Sequence, residues 1–350
     1  LLSLAKAKEK ALKALSLRRV IERGWLTALL GYLAKREELS VRLKYIGDIK
    51  LQRKDFEALA MLTYYAATRC QPGLPEELAK TFSRSLEPRR AFSLLLAGLS
   101  LAPYACKKQK STGNKASINV SPERVGLEVN GVSVAFNPNC ISASLPTGVF
   151  IRGEYEISEV LSGLKGREVV DVGANVGDSA LYFVLNGARK VIAVEPLPNV
   201  AKCAEENVRL SGAADKVKVI NAALSNEPVG VPCDYDVSSS AFFSTLRGSG
   251  PCKVPGVTLG DLLSMIDDPY LLKMDCEGCE AQVILGPERE RLRAFEYIIL
   301  ETHPHITGVS DEELLASLKE LGFECRLHMV HDPKLGVNIY HCENPTSKTA

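Results

Sequence analysis

The spacing of apolar positions changes character about a third of the way along the chain. Residues 1–39, rich in Ala, Leu, Lys and Glu and free of proline, carry apolar positions at helical spacing, with breaks expected at Gly24 or Gly31. "SVRLKYIGDIKLQ" (40–52) alternates as a short hairpin around Gly47-Asp48. "RKDFEALAMLTYYAATRC" (53–70) and "PEELAKTFSRSL" (75–86) return to helical spacing. "AFSLLLAGLSLAPYAC" (91–106) is uncharged. A helix of that length reaches only ~24 Å against the ~30 Å of a bilayer core. Gly98 and Pro103 also interrupt it, so it reads as a buried helix. "KKQKSTGNK" (107–115) is polar and basic, a linker. These patterns divide the chain into a helical domain at 1–106, a linker at 107–116 and a second domain at 117–350.

Beyond the linker the period shortens. "VGLEVNGVSVAF" (125–136) alternates on both sides of Asn130-Gly131, whose tolerance of positive φ predicts a tight hairpin leading into the second domain. From residue 168 apolar strands alternate with amphipathic helices: "EVVDVG", "DSALYFVLNG", "KVIAVEP", "NVAKCAEENVRLSG", "KVKVINAAL", "TLGDLLSMI", "YLLKMD", "FEYIILETH", "SDEELLASLKELG", "FECRLHMV" and "VNIYHC". That alternation predicts an α/β fold, a parallel sheet covered by helices on both faces.

The net charge of +1 hides an asymmetry: residues 1–115 carry 23 Lys/Arg against 10 Asp/Glu, and residues 116–350 carry 20 against 32. The basic front is expected to meet a different partner from the acidic back. Ten cysteines at irregular spacing are too sparse for a disulfide scaffold and read as buried, mostly reduced thiols of a cytoplasmic protein. Only four glutamines occur, as in heat-adapted chains, where intracellular cysteines sometimes pair. The opening "LLSLAKAKEK" meets a charge at Lys6 before an apolar core forms, so no secretory signal is read.

The candidate chemistry lies at strand ends. "VVDVGANVGDSALYF" (169–183) runs from strand through a turn into a helix, with Gly173 and Gly177 four apart. Glycine permits the sharp turn and a close approach, and the helix start offers free N–H groups. The spacing G-x-N-x-G differs from the dinucleotide G-x-G-x-x-G and suits a ribose with an amino-acid tail better than a pyrophosphate. Glu195 ends the next strand, where an acid can accept both hydroxyls of a ribose.

The stretches "GVFIRGEYE", "VVDVGANVGDSALYF", "VIAVEPLPN", "VINAALSN", "VTLGDLL", "LLKMDCEGCE" and "ILETH" resemble, in order, the FkbM-type methyltransferases. The resemblance covers a little under half the chain and leaves residues 1–116 outside it. It implies a class I, Rossmann-like fold with a seven-stranded, mostly parallel sheet, and S-adenosyl-L-methionine as cofactor. It places Asp171, Gly173, Ala174, Asn175, Gly177, Asp178 and Ser179 around the cofactor's methionine and ribose, and Glu195 with Pro196 on the ribose hydroxyls. Asn221 and Ala222 fall by the adenine and Asp275 near the methyl group. In "KMDCEGCE" the pattern residues are Lys273, Asp275, Glu277, Gly278 and Glu280, while Cys276 and Cys279 fill variable positions as small apolar residues. A zinc site there lacks the further ligands it needs. No metal is assigned, and a divalent-ion set of Asp275, Glu277 and Glu301 has no support in the sequence.

The resemblance implies O-methylation of a sugar or small metabolite. Methyl transfer needs alignment of oxygen, carbon and sulfur and a base for the hydroxyl proton. All five histidines lie in the last 48 residues, and "ETHPHI" brings His303 or His305 to the rim where Asp275 is the competing base. Lys273 reads as an ion-pair partner on the same strand. The basic front leaves three further readings open: an RNA methyltransferase, an element gripping an anionic surface, or a dimerisation or lid element. A non-catalytic protein that keeps the cofactor turn and binds a partner is the alternative outside enzymes. Loop 226–256 carries no decodable pattern, and Ser238–Ser240 resemble serines that some family members place near the cofactor.

Overall fold

Strands and helices of residues 168–343 close into one seven-stranded sheet in the computed structural model. The structure describes the chain apart from residues 1, 71, 83–86, 113–115, 122, 141–147, 236, 238–243, 247–249 and 346–350. Ser238–Ser240 therefore lie outside the described residues. The compact division falls between Arg152 and Gly153, not at 107–116, where a helix continues to Thr112.

The first unit combines helices with two small sheets, so its front is less purely helical than its spacing suggested. α1 (Leu2–Ser16) leads to β1 (Ile21–Arg23), and Gly24, at φ 82°, turns the chain into α2 (Trp25–Leu33). β2 (Glu38–Leu43) and β3 (Gly47–Gln52) form the expected hairpin and pair with β1. α3 (Arg53–Tyr65) and α4 (Leu74–Phe82) precede α5 (Pro88–Thr112). α5 contains the uncharged segment, and Leu94, Leu95, Leu99 and Leu101 on it are fully buried. Among the described residues no helix is long and apolar enough to cross a membrane. β4 (Ala116–Ser121) pairs with β5 (Arg124–Val129), and β5 with β6 (Val132–Phe136). Asn130 (φ 52°) and Gly131 (φ 83°) make the turn between β5 and β6 as their sequence predicts.

In the second unit α6 (Ser158–Gly163) precedes the sheet strands β7 (Glu168–Val172), β8 (Lys190–Val194) and β9 (Val217–Ile220). α7 (Asp178–Leu185) and α8 (Pro198–Leu210) connect them. Short pairs follow, β10 (Ala223–Leu224) with β13 (Gly256–Val257) and β11 (Val229–Val231) with β12 (Cys252–Val254). The latter hairpin, closed by a Cys233–Cys252 disulfide, lies in the loop whose sequence carried no pattern. α9 (Leu259–Leu263) opens on a capping box in which Thr258 and Asp261 satisfy each other's backbone N–H. β14 (Pro269–Met274), α10 (Cys279–Ile284), β15 (Tyr297–Thr302), α11 (Pro304–Thr307), α12 (Asp311–Glu320), β16 (Glu324–Asp332) and β17 (Val337–Glu343) complete the unit.

The strand order is β16-β17-β15-β14-β7-β8-β9. β15, β14, β7, β8 and β9 run parallel, and β17 is antiparallel to both its neighbours. Central strands carry Val170, Ile192, Leu272 and Ile298 fully buried, and each such side chain contributes ~1.5–3 kcal/mol. This burial holds the strands in register, and the carboxyl ends of β7, β8, β14 and β15 come together on one rim.

Candidate active site

The glycine turn is built by its neighbours. After β7, the N–H groups of Gly173 and Ala174 both donate to Val194 O at 3.0 Å. Gly173 has φ 77°, and a Cβ there would stand 1.8 Å from the carbonyl oxygen of Asp275. Glycine at 173 is thus demanded by the close passage of two strand ends, in addition to any ligand. Asn175 takes a left-handed φ of 47°, and its N–H donates to Glu195 Oε2 at 3.0 Å. Gly177 (φ 83°) stands at the N-cap of α7.

Glu195, at the end of β8, also accepts the Leu197 N–H on Oε1 at 2.9 Å. Each carboxylate oxygen has two lone pairs, so one per oxygen remains for a diol. Burial pushes the Glu195 carboxyl up to about 7, against the pull of those two N–H groups. Asn221 Nδ2 donates to Glu195 O at 2.9 Å and to Pro196 O at 3.0 Å. It therefore braces the turn that carries Glu195. Ala222 is packed in the hydrophobic core and directs its methyl inward.

Beside the turn lies a buried charge set. Lys273 on β14 stands in register with Asp171 on β7. Its Nζ is 3.1 Å from Asp171 Oδ1, 3.8 Å from Asp275 Oδ2, and donates to Gly173 O at 2.7 Å. Lys273 is 1% and Asp171 0% exposed. Burial disfavours the ammonium, but Asp171 and Asp275 outweigh it and hold the Lys273 pKa above its ordinary value. Asp171 Oδ2 accepts Ser179 Oγ at 2.6 Å. Asp171, Ser179 and Lys273 thus lock β7, α7 and β14 together behind the rim. Asp178 is buried at the start of α7, and burial pushes it up to about 7.

At the rim, Tyr155 donates its hydroxyl to Asp275 Oδ2 at 3.1 Å. Burial, then the charge of Asp275, keeps that phenol neutral well above its ordinary pKa. Asp275 itself is held low: burial opposes its charge, but Lys273 and then His303 prevail. His303 Nε2 lies 3.4 Å from Glu277 Oε2 and 3.9 Å from Asp275 Oδ1. Its Nδ1 is hydrogen-bonded to Glu280, which is 0% exposed. Burial lowers the imidazole pKa, yet Glu277 and Glu280 more than reverse this and push it up to about 11. His305 is exposed on α11, with its ring centroid 6.0 Å from that of His303. Glu301 pairs with His331, at 2.5 Å from Nδ1, and His331 Nε2 is 3.4 Å from Glu154. Burial, then Asp275, pushes Glu301 up to about 7.

Two expectations are corrected. Cys276 and Cys279 are not separate fillers but a disulfide across the turn, their Cα atoms 5.5 Å apart. The turn closes because Glu277 (φ 55°) and Gly278 (φ 114°) both lie in the left-handed region. Nor are the cysteines mostly reduced: Cys70–Cys106 and Cys325–Cys342 are also bridged, the latter directly opposed on β16 and β17. Such pairings depend on which residues the fold brings face to face, which spacing alone does not reveal. At the rim, Asp275 and Glu277 face His303, while Glu301 turns to His331. Sequence reasoning missed Tyr155 as a site residue, gave Glu280 only as a pattern position, and missed His331. The first two sit inside the quoted motifs "GVFIRGEYE" and "KMDCEGCE", which were the available signal.

A sheet of this order, with a glycine turn after its first central strand and an acid ending the next, is the class I methyltransferase fold. Residues 171–325 match the family model of the methyltransferase FkbM domain, and this stretch is an FkbM methyltransferase domain. A protein arginine N-methyltransferase 6 of Danio rerio is 29% identical over 116 residues, 33% of this chain and 32% of its own. The methyltransferase sdnD of Sordaria araneosa is 24% identical over 192 residues, 45% of this chain and 73% of its own. The chain thus spans about a third of the length of the first of these relatives. Among solved structures, M. capricolum TrmK in complex with S-adenosyl-homocysteine has 12% identity and a TM-score of 0.34, covering 55% of this chain and 68% of its own.

Proposed function

We propose that the protein transfers a methyl group from S-adenosyl-L-methionine to a hydroxyl of a saccharide or small metabolite. The observation that carries this is Glu195, buried at the tip of β8 and anchored by the Asn175 and Leu197 N–H groups beside the glycine turn. Such a carboxylate, with one free lone pair on each oxygen, fits a ribose diol and repels a 2′-phosphate. When bound, the cofactor supplies an electrophilic methyl on a sulfonium. Gly173, Ala174, Asn175 and Gly177 shape the turn around its tail, and Asn221 holds Pro196 and Glu195 in place. Asp178 and Ser179 start the helix behind it.

Asp275 is ionised and faces the rim, oriented by Tyr155, so it accepts or orients the acceptor hydroxyl. His303 holds a proton at neutral pH and acts as a charge partner of Asp275 rather than as the base. Exposed His305 and buried Lys273 have no direct share in the proton transfer under this reading. RNA is the alternative acceptor, since residues 1–115 carry 23 Lys/Arg against 10 Asp/Glu and the pairs of Arg42, Lys44, Lys50, Arg53 and Arg89 with carboxylates occupy only some of those cations.

Calorimetric titration with S-adenosylhomocysteine tests the cofactor. Saturable binding is expected, with at least a 100-fold loss in Glu195→Ala, about the worth of two charged hydrogen bonds at 1.5–3 kcal/mol each. Labelled methyl transfer into separated glycan, metabolite, protein and RNA fractions then identifies the acceptor. Label confined to RNA or protein would overturn the hydroxyl-metabolite assignment, and no label would favour a binding protein.

A further inference from the structure

We infer that Asp275, Glu277 and His303 form a binding site for one first-row divalent metal ion, which presents open coordination positions to oxygens of the acceptor. Their ligating atoms converge: His303 Nε2 is 3.4 Å from Glu277 Oε2 and 3.9 Å from Asp275 Oδ1. Metal–donor bonds of about 2.1 Å put neighbouring octahedral donors ~3.0 Å apart and opposite ones ~4.2 Å apart. Both measured separations fall inside that window, and the three ligating atoms all lie within 4.8 Å of one another, so an ion can seat once the side chains draw in around it.

The surroundings are those of a metal-binding histidine. Glu280, fully buried, bonds to Nδ1, so Nδ1 carries a hydrogen and Nε2 points its lone pair at the two carboxylates once deprotonated. Glu280 is itself fixed, because its Oε2 accepts the Gly278 N–H at 3.0 Å. A carboxylate behind the histidine is the usual device that sets tautomer and orientation in metal sites. Tyr155 does the same for Asp275, taking Oδ2 at 3.1 Å and leaving Oδ1 toward the cluster. Three carboxylates surround one imidazole, and neighbouring Lys273 is shared between Asp171 at 3.1 Å and Asp275 at 3.8 Å. A dication replacing the Nε2 proton balances this charge better than the proton alone.

One imidazole with two carboxylates favours Mn²⁺, Fe²⁺ or Zn²⁺ over Mg²⁺ or Ca²⁺. Three protein ligands leave positions open, as in catalytic rather than structural sites. The acceptor class that fits is a hydroxyl flanked by a second oxygen, such as a vicinal diol or a 2-hydroxy acid, able to chelate. This acceptor assignment rests on the methyl-transfer reading; the metal site does not.

The test uses the full chain, freed of metal by chelator and titrated with Mn²⁺ under oxidising conditions, with electron paramagnetic resonance as readout. One bound ion per chain is expected. Glu277→Gln and His303→Asn should each weaken binding at least tenfold, and Glu280→Gln 10–100-fold as a positioning residue. Thermal melting checks that each variant folds, and the partly exposed Glu277 keeps the test usable if the buried ones do not. No binding, or binding unchanged in folded Glu277→Gln, overturns the site. Binding that appears only after reduction and vanishes in Cys276→Ser also overturns it, in favour of a thiolate site with Cys279 and Glu280. A methyl glycoside with vicinal hydroxyls should alter the bound Mn²⁺ spectrum and its deoxy analogue should not; an unmoved spectrum sinks the acceptor class. Because the titration needs no cofactor, Mn²⁺ binding without S-adenosylhomocysteine binding would sink the methyl-transfer reading alone.

Discussion

Glu195 carries the clearest consequence at the scale of single residues. Its folded pKa of about 7 lies above the ordinary 4.5, so its protonated form stabilises the fold below pH 4.5, and that contribution is lost as pH rises through about 7. Cofactor binding runs the opposite way, because the ribose diol needs the carboxylate. Affinity for S-adenosylhomocysteine is therefore expected to strengthen from pH 6 to pH 8, by up to about tenfold per unit below the pKa. In Glu195→Gln the calorimetric profile should be flat over that range; an unchanged slope would assign the titration elsewhere. Gly173 is equally decisive. Gly173→Ala places a methyl 1.8 Å from the Asp275 carbonyl at φ 77°, both backbone constraints. A loss of ~2–4 kcal/mol in urea unfolding, or failure to fold, is expected.

Among elements, α5 and the π turn before α4 are joined by Cys70–Cys106, which closes a loop of 36 residues' separation. Loop-closure entropy assigns it ~4 kcal/mol, compared with ~1.6 kcal/mol for the three-residue separation of Cys276–Cys279. The double variant Cys70→Ala/Cys106→Ala should lower the urea midpoint more than Cys276→Ala/Cys279→Ala does. Equal midpoints would show that the long loop is constrained by packing instead. The elements themselves were largely legible: the strand alternation, the Asn130-Gly131 hairpin and the buried helix follow from local spacing. The short pair β11–β12 was not, because three-residue strands carry too few positions for alternation to register.

For the whole molecule, the basic front looked in sequence like a surface for anions. Folded, Arg42 meets Glu22 and Asp48, Lys44 meets Glu76, and Lys50 meets Glu38 within the same unit. The 23 Lys/Arg of residues 1–115 outnumber their 10 Asp/Glu, so these pairs offset only some of the cations; on the hydroxyl-metabolite reading RNA affinity should nonetheless be weak and change little with salt. A protein contacting six to ten phosphates would lose roughly 10³–10⁵ in affinity between 50 and 200 mM salt. Filter binding across that range distinguishes the two, and a steep slope would restore the nucleic-acid reading.

The chain's own order of residues determined the α/β class, the glycine turn, the acid at the second strand's end and the motif at 273–280, because each is a local pattern. Only the tertiary structure decided that Gly173 is hemmed by Asp275, that Asn221 braces Glu195, and that Lys273 is sealed against Asp171. It also decided which cysteines pair, and that His303 rather than Glu301 meets Asp275 and Glu277. Apart from the cysteine pairs, of which those described span 3 to 36 positions, these are contacts between residues 20 to more than 100 positions apart, set by strand order and register, which no local spacing encodes.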